Sequence, residues 1–123
     1  MSLNVLQVNI QCIRNKILEL EHFCDEHKID VISVAEHWLQ VEQVDVFTPQ
    51  GYIPASLFCR KEKKNGGSGV FVKIGIDFSV INADRFNSEL NCEISCIKLK
   101  KENLIIVSVY RSPMGNVNFS WKI

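Results

Sequence analysis

The sequence predicts an α/β fold that opens with a strand, a helix and a second strand, and continues as antiparallel strands. Three observations lead there. Residues Leu3 to Ile10 alternate and are rich in Val, Ile and Leu, as a strand requires. From Cys12 to His27 the period lengthens, and Ile13, Ile17, Leu20 and Cys24 fall at helical spacing. The run Val31-Ile32-Ser33-Val34-Ala35 is apolar except for Ser33, as in a strand covered on both faces. A βαβ unit of about 33 residues follows, and its crossover is expected to be right-handed.

The first strand carries Asn9 near its end. In the helix, Glu19, Glu21, Asp25 and Glu26 face away from the apolar stripe, and Phe23 lies beside it. Lys28-Ile29-Asp30 links the helix to the second strand, which stops at Glu36. Beyond that acid the signals are those of β structure. Tyr52 to Cys59 reads as a strand after a loop containing Pro49 and Gly51, and Pro54 confines it to a sheet edge. Asn65-Gly66-Gly67-Ser68-Gly69 reads as a hairpin turn. Val70 to Ile74 and Phe78 to Ile81 are short strands divided by Gly75 and Asp77. Glu93 to Leu99 alternates, Asn103 to Tyr110 does so less cleanly, and Lys100-Lys101-Glu102 between them makes a second hairpin turn. Residues 114–123 carry no usable pattern.

The 123 residues fit one domain. With 46% hydrophobic and 23% charged residues, the chain has enough apolar material for a core. Its 14 basic and 14 acidic residues cancel, so attraction to a polyanion must come from a local patch. The clearest patch is Arg60-Lys61-Glu62-Lys63-Lys64, with Lys98, Lys100 and Lys101 a weaker second; such runs are usually solvated turns. The five cysteines are odd in number and form no CxxC pair, so they read as free thiols of a reducing compartment. No basic segment followed by an apolar core opens the chain, and no apolar run approaches the about 18 residues of a membrane span. The expectation is an intracellular protein of cytoplasm or nucleus, without membrane contact.

Three apolar runs thus end on a group able to do chemistry: Asn9, Glu36 and Tyr110. In open α/β sheets, ligands gather at the carboxyl ends of the strands. A carboxylate at the end of a buried strand needs a cation, a donor set or a metal to stay charged. Mg²⁺ suits Glu36, since it takes oxygen ligands and is held by one or two carboxylates plus substrate phosphate. The other reading of Glu36 is a turn cap or an ion-pair partner. Asn9 can orient a metal-bound water or a phosphate oxygen, or tie down the next turn. Tyr110 can donate to developing phosphate charge, or be a half-buried aromatic. Arg111 can grip phosphate through its forked donors, or be a plain surface arginine. His37, beside Trp38, reads as packing rather than as a ligand. Asn65 to Gly69 is no P-loop, because it lacks the Gly-Lys-Ser/Thr ending and joins two strands.

The segments QVN (7–9), ISVAEHWL (32–39), GGSGVFV (66–72) and VSVYRSP (107–113), in this order across residues 3–115, resemble the N-terminal half of the endonuclease/exonuclease/phosphatase superfamily. The nearest likeness is to the endonuclease domain of non-LTR retrotransposons, itself similar to apurinic endonucleases. The resemblance implies a divalent-metal phosphodiesterase that nicks DNA. It implies Mg²⁺ at Glu36, a metal–water–phosphate arrangement held by Asn9 and a phosphate contact at Tyr110; phosphate or nucleic-acid contacts at Arg60 and Arg111 are read instead from the basic patch and the forked guanidinium. It also implies a fold of two sheets packed face to face with helices outside.

Members of that superfamily continue with an Asp-x-Asn segment and a later Asp-His pair. Here the last histidine is His37 and the last aspartate Asp84. The expectation is a single partial domain over 1–123, about half of a four-layered α/β sandwich, with material for about one sheet and one inner face uncovered. Weak Mg²⁺ binding and weak or no hydrolysis by this chain alone follow from the missing groups. The alternative is a non-catalytic remnant that acts by protein association or self-association through the uncovered face, or by weak nucleic-acid binding.

Overall fold

The computed structural model describes residues 2–115. Strands β1 (Val5–Asn9) and β2 (Val31–Ala35) run parallel, with Val5 opposite Val31 and Asn9 opposite Ala35. Helix α1 (Ile17–His27) connects them and ends at Lys28, whose left-handed backbone turns the Ile29 N–H back onto the Cys24 carbonyl at 3.0 Å. The helix is shorter than the spacing predicts. Residues 12 and 13 are drawn instead into β-like pairing, where Cys12 N donates to Glu36 O at 3.0 Å and Ile13 N to His37 O at 3.1 Å. A short 3₁₀ turn, Ile13–Asn15, fills the gap.

Strands β3 (Tyr52–Phe58) and β4 (Ser68–Lys73) pair antiparallel and complete a four-stranded sheet in the order β1-β2-β4-β3. Pro54 therefore sits on an edge strand, as expected, and the register shifts between Pro54 and Ser56. Strands β5 (Phe78–Val80), β6 (Glu93–Leu99) and β7 (Leu104–Tyr110) form a second sheet, β5-β6-β7, antiparallel throughout. The expectation of material for about one sheet is thus corrected: the described residues form two. Among the described residues the later strands pair only with one another, through local connections, and their apolar face lies on the first sheet.

Two clusters fill the interior. Leu20, Cys24 and Ile29 pack with Ile32, Val34 and Phe71, joining the helix side to one face of the larger sheet. Val31, Val70 and Val72 of the larger sheet pack with Ile97 and Leu99 of the smaller one. Burying side chains of this size stabilises by about 1.5–3 kcal/mol each, so this second cluster is the main cement between the sheets. Ser108 adds a polar tie, donating to Val34 O at 3.0 Å.

The row Ile105, Val107 and Val109 on β7 is exposed. All five cysteines are unpaired, with Cys59 half-buried and the rest buried. Among the described residues, no helix is long and apolar enough to cross a membrane. Residues 116–123 of the unpatterned 114–123 segment lie outside the described residues.

Candidate functional site

Because β1 and β2 are parallel, Asn9 and Glu36 leave the larger sheet at the same end. β4 runs the other way and starts there, with Ser68 opposite Ala35. In the smaller sheet Glu93 begins β6 and pairs with Tyr110 at the end of β7. One end of both sheets thus collects the polar groups. Asn9 Nδ2 donates to Glu36 Oε2 at 2.7 Å. Burial pushes the Tyr110 phenol up, and the Glu36 carboxylate beside it pushes the same way by charge and hydrogen bonding. Glu36 and Tyr110 line one cavity of about 420 Å³ with Arg60, Lys63, Lys64 and Ser112. The structure therefore brings Asn9, Glu36 and Tyr110 together.

The backbone beneath this cavity is unusual. Glu36 and Trp38 both adopt left-handed conformations, at φ 60° and 61°. Hydrogen bonds pin them: Glu36 N donates to Gly67 O at 2.7 Å and Trp38 N to Gly66 O at 2.9 Å. A non-glycine residue in this region carries strain of about 1–3 kcal/mol that its surroundings must offset. His37 lies between them, fully buried. Its Nδ1 accepts from Leu39 N at 2.8 Å, so Nε2 carries the proton and donates to Phe58 O at 2.8 Å. Burial lowers its pKa, against the opposing pull of carbonyls and Glu93, which keeps the ring neutral. His37 is structural, as the sequence indicates. Gly67 covers it so closely that a Cβ there would collide with the ring at Cε1.

Arg60 departs from the expectation of a simple phosphate contact. Its side chain is only 6% exposed and its Nε donates to Glu93 Oε2 at 2.6 Å. Nη1 donates to Lys64 O at 2.7 Å, while Nη2 is buried without a hydrogen-bond partner among the described residues. Glu93 also accepts from Gly67 N at 2.6 Å and Leu90 N at 2.9 Å. The pair is a clamp between the start of the basic segment, the glycine turn and the second sheet. Arg111 is exposed, its charge acts on Cys92, and it does not line the cavity.

Glu93 is the organising residue that sequence reasoning missed. A signal existed: its parity with Ile97 and Leu99 points it inward, where an acid needs a partner. Glu89 was missed as well. Its carboxylate accepts from the backbone N–H groups of Lys61, Glu62 and Lys63 and fixes the basic segment.

Among the described residues, no group of three or more His, Cys, Asp or Glu gathers as a metal site. Glu36 with the Asn9 amide offers the donor set of one carboxylate that a hydrated Mg²⁺ accepts when a phosphate completes its shell. Compared with protein-family models the chain matches none, and no curated protein matches it.

Proposed function

We propose that the cavity over Glu36 binds a phosphodiester of DNA together with Mg²⁺, in an endonuclease-type domain of the retrotransposon kind. The observation that carries this is that Glu36, hydrogen-bonded by Asn9, and Tyr110 line one cavity with Lys63 and Lys64 on its wall. It is supported by the fact that the four sequence segments behind the resemblance all contribute to this one end of the sheets. The same reading takes the fold as about half of a four-layered α/β sandwich, working in the nucleus or cytoplasm.

In this reading Glu36 holds the metal and Asn9 orients the carboxylate through its amide N–H. Bound Mg²⁺ would supply charge stabilisation for phosphate oxygens. Tyr110 keeps its proton at neutral pH and can donate to phosphate oxygen. Lys63 and Lys64 add attraction for the strand. None of these groups is a base ready to activate water, since His37 has both nitrogens engaged. Binding should therefore exceed turnover.

The test pairs the wild-type chain with Glu36→Ala on supercoiled plasmid and labelled duplex, with Mg²⁺ and with chelator. The expected result in wild type is slow nicking and a gain in DNA binding when Mg²⁺ is added, both lost in the variant, while its Mg²⁺-independent binding stays. Equal behaviour of the two proteins would remove Glu36 from the function.

A second reading rests on the exposed row Ile105, Val107 and Val109 on β7, a strand with one unpaired edge among the described residues. Such a face favours association with a second copy or another protein. Light scattering of wild type beside Val107→Glu tests it. A monomer in both would dismiss it.

A further inference from the structure

A second cavity, of about 270 Å³, adjoins the one over Glu36 and shares Arg60, Lys63, Lys64 and Asn65 with it. Its walls also include Arg14, Trp38 and Gln43. Among the described residues, four cations and no acid line it. Glu93 offsets the charge of Arg60, and no acid among the described residues of this wall offsets Arg14, Lys63 and Lys64.

Two buried donors without a hydrogen-bond partner among the described residues, Trp38 Nε1 and Arg60 Nη2, belong to residues of the same wall. A buried donor left unpaired costs about 1–3 kcal/mol, and more when it is charged. The protein nonetheless builds this region firmly. Arg14 Nη1 donates to Trp38 O at 3.0 Å, Gln43 Oε1 accepts from Gln40 N at 3.0 Å, and Glu89 holds the backbone of residues 61–63. Several cations on one wall suit an anion with several acceptor oxygens. Arginine and lysine together suit phosphate, the first through its fork and the second as a point charge.

We propose that this cavity is a phosphate-binding site, separate from the group over Glu36. The two cavities share Arg60, Lys63, Lys64 and Asn65, so the site extends the function proposed above, and Glu36→Ala tells the two apart. The phosphate can come from a nucleic-acid strand or be free in solution, and the experiment separates these sources.

Trp38 is a built-in reporter. The chain has two tryptophans, so Trp121→Phe leaves Trp38 alone. That protein is titrated with inorganic phosphate and, separately, with an oligothymidylate of about eight residues, each with fluorescence as the readout. The same titrations are run on Lys63→Ala/Lys64→Ala and on Glu36→Ala in that background. Both lysines are exposed, so the double variant keeps its fold.

The expected result is a saturable change that weakens at least tenfold in the double lysine variant and persists in Glu36→Ala. Saturation by the oligonucleotide alone assigns the phosphate to a strand. Saturation by inorganic phosphate as well assigns a site open to small phosphate compounds. No saturable change with either probe, or one indifferent to both lysines, overturns the proposal. Loss in Glu36→Ala would also overturn it, by merging this site with the other cavity.

Discussion

The Arg60 guanidinium lies 2.6 Å from the Glu93 carboxylate, with side-chain exposures of 6% and 0%. Two charges so deeply placed depend on each other. Removing one leaves the other desolvated and unpaired, which costs about 3–5 kcal/mol. Glu93→Ala should therefore destabilise the chain by that amount in urea unfolding. The double variant Arg60→Leu/Glu93→Leu should cost less than Glu93→Ala alone. A double variant at least as damaged would show that the pair is not the source of the effect.

Glycine at 67 is demanded twice, by φ +92° and by the His37 ring beneath it. Gly51 has nearly the same φ, +89°, but a Cβ added there would meet nothing within 4 Å. Gly51→Ala should thus cost only the backbone strain, about 1–3 kcal/mol. Gly67→Ala should cost clearly more, because the ring must move. Thermal unfolding of both variants measures the difference, and equal losses would count against close packing on His37.

The chain has two tyrosines, and burial raises both Tyr52 and Tyr110. Only Tyr110 has Glu36 as a neighbour acting on it. A carboxylate disfavours a phenolate, so Glu36→Gln should lower the Tyr110 pKa toward its ordinary 10 and leave Tyr52 alone. Phenolate absorbance followed through alkaline pH reads this directly. An unchanged titration would separate the two side chains in solution.

Glu89 gives the basic segment an acid sensitivity. Burial would raise its pKa, but the three backbone donors and Arg60 outweigh it and hold the carboxyl below its ordinary 4.5. A depressed folded pKa means stabilisation that is fully present above 4.5 and fades as pH falls through the folded value. Amide-exchange protection at Lys61 to Lys63 should follow that course, and Glu89→Gln should flatten it. The same acid profile in both proteins would exclude Glu89 as the clasp.

Much of the fold is legible in the sequence because local pattern and tertiary environment agree. The strand 31–35 and the strand Glu93–Leu99 stand where the apolar spacing places them. The helix start is not legible, because Cys12 and Ile13 carry helical spacing but are captured by the backbone of residues 36 and 37. The second sheet is hidden because alternation reveals that a strand has a covered face, never what covers it. At the site, Asn9, Glu36 and Tyr110 stand out by ending apolar runs. Arg60 reads as a surface cation because nothing local marks its partner, which is 33 residues away.

The left-handed turn at Glu36 decides on which side of the larger sheet the acid emerges. Side chains alternate along β2, so after Ala35 a regular strand would send residue 36 toward the layer that holds Ile32, Val34 and Leu20. Asn9, opposite Ala35, points the other way. The twist at φ 60° turns the carboxylate about, out of oil and toward its amide partner. Valine or isoleucine there has a branched Cβ that resists that conformation, so this position selects its residue by backbone shape as well as by charge.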